Sequence, residues 1–253
     1  MKKYLITIEE ENSLRLQNFF SQSSFHKIRD EFSFFGIIGN HLTVKEYFFR
    51  AVTNRLCPLT PGELGCALSH LSAIKDFLAS DDEYAVIFED DVTEVLPVDL
   101  NQLEHYIHEL NLEQGFLLSL GGIQMEMCYR VRGKLLAQQL YGKNILKIDK
   151  DFLQHLFYAY AYVIDRKMAR LLIEYHGEQP KTYDHWHPIL EKDPSVHFYG
   201  TFIFDHPKMG DDIVTKSYLE QERLQVYKAK RPRQKFLHYM RRKIKRHMLD
   251  KFS

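Results

Sequence analysis

The sequence predicts an α/β protein with an open, mostly parallel sheet flanked by helices. Three observations carry that prediction. Four short apolar runs of strand length recur, at Tyr84–Phe88, Phe116–Leu120, Tyr158–Ile164 and Val196–Phe204. Helical-period segments alternate with them, the pattern of strands joined by crossovers. The chain has 253 residues, 45% of them hydrophobic, enough for one substantial core and too many apolar groups for a disordered chain.

The elements follow in order. Lys3–Ile8 alternates and opens the sheet as a first strand. Asn12 stands where a cap is wanted for a helix over Ser13–Phe20. Leu59-Thr-Pro-Gly-Glu63 is a stronger signal: Thr60 as N-cap, Pro61 at the first helical position and Glu63 three residues on make a capping box. The helix it starts runs to about Ala79, with Leu64, Leu68, Leu71, Ile74 and Phe77 at helical spacing. Asp81-Asp82 make a turn into Tyr84–Phe88, whose unbroken apolar character marks a strand buried on both faces. Gly121-Gly122 end the next strand, and a helix from about Arg166 to Tyr175 follows the third. No linker composition appears before the C-terminal tail, so residues 1–227 read as one domain and 228–253 as an appendage.

Charge divides the chain the same way. Of 34 Lys/Arg and 34 Asp/Glu, eleven basic residues and one acid fall within 228–253, so a body near −10 carries a tail near +10. Phe236, Met240, Ile244 and Met248 recur at i, i+4 spacing among those basic residues. A basic amphipathic helix suits an anionic membrane surface better than nucleic acid, and no nucleic-acid partner is expected. The plainer alternative is a helix docked on the acidic body. Cys57, Cys66 and Cys128 are few and lack CxxC spacing, so they read as reduced thiols. The apolar run after Met1-Lys2-Lys3 is too short for a signal peptide and none approaches a membrane span, which together predict a cytoplasmic location.

Phe88-Glu89-Asp90-Asp91-Val92 carries the chemistry. Three acids directly after a buried strand lie at the carboxyl end of the sheet, where open α/β sheets bind ligands. Carboxylate oxygens suit Mg²⁺ or Mn²⁺, which hold one or two protein carboxylates plus substrate phosphates. Such an ion neutralises charge on a departing diphosphate. Without company, an acidic turn facing water explains the motif equally well.

Leu59-Thr-Pro-Gly-Glu-Leu-Gly-Cys-Ala-Leu-Ser-His70, followed by a helix and Val-Ile-Phe-Glu-Asp-Asp-Val92, resembles glycosyltransferase family 25, the lipopolysaccharide and lipooligosaccharide sugar transferases. Tyr160–Leu172, Tyr183-Asp-His-Trp186 and His206-Pro207 resemble later segments of that family in order, and the resemblance spans roughly residues 3–217. It implies a GT-A-like fold, a UDP-hexose donor with galactose favoured and glucose next, and a lipid-linked oligosaccharide acceptor displayed at the inner face of the bacterial inner membrane. It also implies that Asp91 holds the metal–diphosphate, with Asp90 or Glu89 assisting. The motif is Glu-Asp-Asp where many other sugar-nucleotide transferases carry Asp-x-Asp, so the ligating acid stays open.

The resemblance also implies inversion at the anomeric carbon, which requires a carboxylate base for the acceptor hydroxyl. Asp184 is the candidate, with an N-cap of the following helix as its plainer role. Trp186, the only Trp, is the candidate to stack on the acceptor sugar. His206, just after a strand, is a candidate metal ligand or a backbone-bonded loop histidine. Arg15 is a candidate to contact the donor diphosphate, with plain surface charge as the alternative. His70 is a candidate to reach donor phosphate or acceptor, or a satisfied helix histidine, and Gly121-Gly122 is a point of close ligand approach or a turn. A non-catalytic sugar-nucleotide or glycan-binding module on the same fold is the alternative, against which the three acids, Asp184 and His206 argue.

Overall fold

The computed structural model describes residues 1–123, 128–207 and 236–252, with side chains omitted for Cys128 and 236–239. Asp211-Asp212, Ser217 and the tail segment 228–235 lie outside the described residues. In chain order the strands and helices are β1 (Lys2–Ile6), α1 (Leu14–Ser21), β2 (Phe32–Phe35), α2 (Val44–Tyr47), α3 (Pro61–Ala79), β3 (Tyr84–Glu89) and β4 (Thr93–Glu94). They continue with α4 (Leu103–Leu110), β5 (Phe116–Gly121), β6 (Gly133–Leu140), β7 (Lys143–Ile148), β8 (Ala161–Asp165), α5 (Arg166–His176), α6 (Ile189–Lys192), β9 (His197–Asp205) and α7 (Phe236–Met248).

The nine strands among the described residues form one sheet in the order β2-β1-β3-β8-β5-β9-β7-β6, with β4 paired to β9. β1, β2, β3, β5, β6 and β9 run one way and β4, β7 and β8 the other, so most strands share a direction while the pairings are mixed. The unbroken apolar run of β3 is explained by burial on both faces. Ala85 and Ile87 meet a core shared with Leu71, Ile74 and Phe77 of α3 and Met168 and Leu172 of α5. Val86 and Phe88 meet the opposite core, with Phe19 and Phe20 of α1 and Ile107 of α4.

Local signals hold where expected. Thr60 and Glu63 close both hydrogen bonds of the capping box on α3. Ser13, one residue after the expected Asn12, caps α1 through Leu16 N. At Gly121 a Cβ would lie 2.5 Å from Phe204 O and 2.6 Å from the Tyr160 ring. The neighbour that excludes a side chain there is strand β9 with Tyr160, which corrects the ligand-approach reading.

The tail helix α7 is docked. Arg241 pairs with Asp151 at 2.9 Å, and Lys245 with Asp149 at 2.8 Å and Asp151 at 2.7 Å. Asp250 bridges Gly133 in both backbone directions and accepts from Leu135 N at 3.0 Å. Docking uses the charged face: Arg242 is buried, while Met240, Ile244 and Met248 are 40%, 61% and 79% exposed.

Candidate functional site

Strand direction assembles the site. β1, β3 and β9 are co-directional, so Thr7 after β1, Glu89 at the end of β3 with Asp90 and Asp91 after it, and His206 after β9 lie at one end of the sheet. The antiparallel β8 begins at that same end, which brings Tyr158 and Tyr160 beside His206, with ring centroids 5.9 and 5.3 Å away.

The carboxylates are held by different partners. Asp90 takes a hydrogen bond from Thr7 Oγ1 at 2.6 Å and one from Arg15 Nε at 2.5 Å. Both its oxygens are engaged, and burial pushes its pKa up to about 6 against the pull of Arg15 and Thr7. Asp91 accepts from Arg15 Nη2 at 2.8 Å and from His206 Nε2 at 3.1 Å, both on Oδ2. Burial alone would raise its pKa, but His206 and Arg15 hold the carboxyl below the ordinary range. His206 donates its other ring N–H to Pro207 O at 2.8 Å. Burial disfavours its charge, yet the bond to Asp91 outweighs that and the imidazole is pushed up to about 9. Asp91 Oδ1 is buried and has no hydrogen-bond partner among the described residues.

Glu89 stands apart from this pair of aspartates. Its Oε1 meets His70 Nε2 at 3.1 Å, and His70 Nδ1 meets Tyr162 OH at 3.0 Å. Tyr162 and Tyr183 share a hydroxyl hydrogen bond at 2.7 Å, and the Tyr183 ring stacks on His70 at 4.1 Å. His70 is fully buried, with both ring nitrogens engaged by Tyr162 and Glu89. Arg15 is likewise engaged with Asp90 and Asp91 and offsets part of their charge.

Asp184 is half-buried, and its Oδ2 accepts from Tyr158 N at 3.4 Å. Tyr158 is held at φ 73°, a costly conformation for a tyrosine, and its ring lies beside His206. The following helix starts at Ile189 with Pro188 as its cap residue, so Asp184 is not an N-cap. Trp186 departs from expectation. It is 1% exposed and packs against Tyr162, Tyr183 and Phe198, which leaves no ring face for a sugar. The stacking role is thereby corrected to a core role: a large apolar ring at the end of a loop is pulled under the sheet by area burial.

Sequence reasoning missed Thr7, Tyr158, Tyr162 and Cys66. The three aromatic and hydroxyl partners are brought to the acids by strand pairing, which no local pattern encodes. The signal for Tyr162 and Cys66 was membership of the blocks Tyr160–Leu172 and Leu59–His70. Cys66, His70 and Glu89 each offer one ligand atom, and these lie within 4.8 Å of one another.

The sequence profile of glycosyltransferase family 25, described as an LPS biosynthesis protein, matches residues 1–187. No curated protein matches the chain significantly. The matched span includes α3, the acidic motif, β8 and the Tyr183–Trp186 segment, and the α/β sheet is consistent with a GT-A-like fold. With the profile covering residues 1–187, the chain belongs to glycosyltransferase family 25, the glycosyltransferases of lipopolysaccharide biosynthesis.

Proposed function

We propose that this glycosyltransferase transfers a hexose from a UDP-sugar, galactose first and glucose next, to a lipid-linked oligosaccharide acceptor with inversion. The observation that carries the reading is the buried carboxylate of Asp91, with one oxygen unpartnered and the other beside His206.

The residues present fit Mn²⁺ or Mg²⁺. Asp91 Oδ2 and His206 Nε2 are 3.1 Å apart, close to the roughly 3 Å edge of an octahedron with bonds of about 2.1 Å. Asp90 and Asp91 share one permanent cation, Arg15, so the pair favours added positive charge. Asp91 and His206 would hold the ion, His206 giving up its Nε2 proton to do so, with Glu89 or Asp90 assisting. When bound, it supplies counter-charge to the departing diphosphate. Asp184 takes the proton of the acceptor hydroxyl as general base, and the Tyr158 N–H fixes the carboxylate that does so.

The test is a donor panel: purified protein, Mn²⁺, a series of UDP-sugars, and detection of released UDP. Turnover of UDP-galactose, or next UDP-glucose, is the expected result. Binding of a UDP-sugar with no turnover of any donor, even with acceptor present, would establish the non-catalytic module instead.

The acceptor's lipid places the enzyme at the cytoplasmic face of the inner membrane. No described helix is long and apolar enough to cross a membrane. The outward stripe Met240, Ile244 and Met248, with exposed Lys243 and Arg246 beside it, supports contact with an anionic surface. Truncation after Ala229 is expected to abolish co-sedimentation with anionic vesicles while activity on a soluble acceptor persists. Equal sedimentation of the truncated and full chains would remove this role. Loss of folding would assign α7 to the body alone, as its ion pairs to Asp149 and Asp151 allow.

A further inference from the structure

Cys66 and His70 are one helical turn apart on α3 and share a face, and that face packs over the end of β3, where Glu89 stands. One thiol, one imidazole and one carboxylate converge there within 4.8 Å. We propose that these three residues form a second cation site, for a thiophilic divalent ion of the zinc class, distinct in chemistry from the hard-cation pair Asp91 and His206.

Two features beyond proximity support it. A metal-bound histidine almost always donates its other ring N–H to a fixed acceptor, which sets the tautomer. His70 has that partner: Nδ1 lies 3.0 Å from Tyr162 OH, and Tyr162 lies 2.7 Å from Tyr183 OH. The Tyr183 ring stacked at 4.1 Å prevents the imidazole from turning away. The donor set is the second feature. A thiolate with an imidazole and one carboxylate suits Zn²⁺ or Co²⁺ in a three-ligand site with one open position, whereas Mn²⁺ and Mg²⁺ prefer oxygen. His70 is fully buried and Cys66 only partly so.

The proton balance is simple. The Cys66 thiol releases its proton on coordination. His70 moves its ring proton from Nε2, where it faces Glu89, to Nδ1, binds the ion through Nε2 and donates from Nδ1 to the Tyr162 oxygen. Tyr162 then donates to Tyr183. Glu89 exchanges its contact with Nε2 for a bond to the ion. No sugar or nucleotide enters this argument, so it stands or falls separately from the donor assignment.

The experiment is Co²⁺ titration of the full-length, metal-stripped protein, followed by absorbance. A sulfur-to-cobalt charge-transfer band saturating at one ion per chain is expected, displaced by Zn²⁺ and absent in Cys66→Ser. The Asp91–His206 pair has no sulfur and gives no such band. Tyr162→Phe, nearly isosteric, is expected to weaken binding roughly 10- to 100-fold, the usual cost of losing a partner behind a ligand. Zn²⁺ is also expected to slow alkylation of Cys66 about tenfold or more by withholding the thiolate, with exposed Cys57 unchanged as internal control. A band that survives Cys66→Ser, wild-type affinity in Tyr162→Phe, or no band together with an unprotected Cys66 would each overturn the site.

Discussion

Asp91→Asn is expected to lower sugar transfer by roughly a hundredfold or more, since counter-charge at a departing diphosphate contributes several kcal/mol and each 1.36 kcal/mol is tenfold in rate. The substitution keeps the side-chain volume and leaves Arg15 bound to Asp90, so the fold should persist. What it removes is the negative charge shared by the oxygen that faces His206 and the unpartnered oxygen beside it. Chelation of the wild-type enzyme should produce a loss of similar size, and chelation of the variant little more, because both act on the same charge. Initial rates of UDP release with Mn²⁺, with excess chelator, and for the variant under both conditions give the comparison, with thermal unfolding as the folding control. Full wild-type activity in excess chelator would take the metal out of the mechanism. A variant that transfers normally would move the metal's ligand to Glu89 or Asp90.

Asp184→Asn is expected to reduce kcat by about 10²- to 10⁴-fold, the usual range for removing a positioned general base, while UDP affinity stays near wild type. The reasoning depends on what the amide preserves. Its oxygen still accepts from Tyr158 N, so the strained Tyr158 conformation next to His206 is retained and only basicity is lost. Turnover at saturating donor and acceptor, set beside UDP binding by calorimetry, separates the two effects. If turnover is unchanged, Asp184 holds the Tyr158 backbone and the base lies elsewhere. If UDP affinity falls in parallel with rate, the residue belongs to the donor pocket.

The parts of this protein that local chemistry determines were legible in its sequence. The Thr60–Glu63 box fixes the start of α3, because both bonds are made within one turn. The run Tyr84–Phe88 announces a two-faced strand, because every side chain must be hidden. The three acids after it fall at a strand end and therefore at the ligand end of the sheet. Family motifs extend that reading to Tyr183 and Asp184 without any geometry.

Pairing between distant segments was not legible. β8 runs against β3, and that reversal sets Tyr158 and Tyr160 beside His206 and aligns Tyr162 with His70. Hydrophobic runs look alike in either direction, so orientation is decided only when helices and loops close the sheet. β6 lacks clean alternation because it is an edge strand paired only to β7 among the described strands, and it gave no signal. Trp186 shows the same limit for a side chain: aromaticity serves stacking and core equally, and the packing of Tyr183 and Phe198 around it chose the core. In α7 the periodicity correctly marked an amphipathic helix, but only the placement of Asp149 and Asp151 turned its charged face inward and its apolar stripe outward. Sequence determined which groups were available for chemistry. The tertiary structure decided which met, because that depends on strand direction and burial summed over the whole chain.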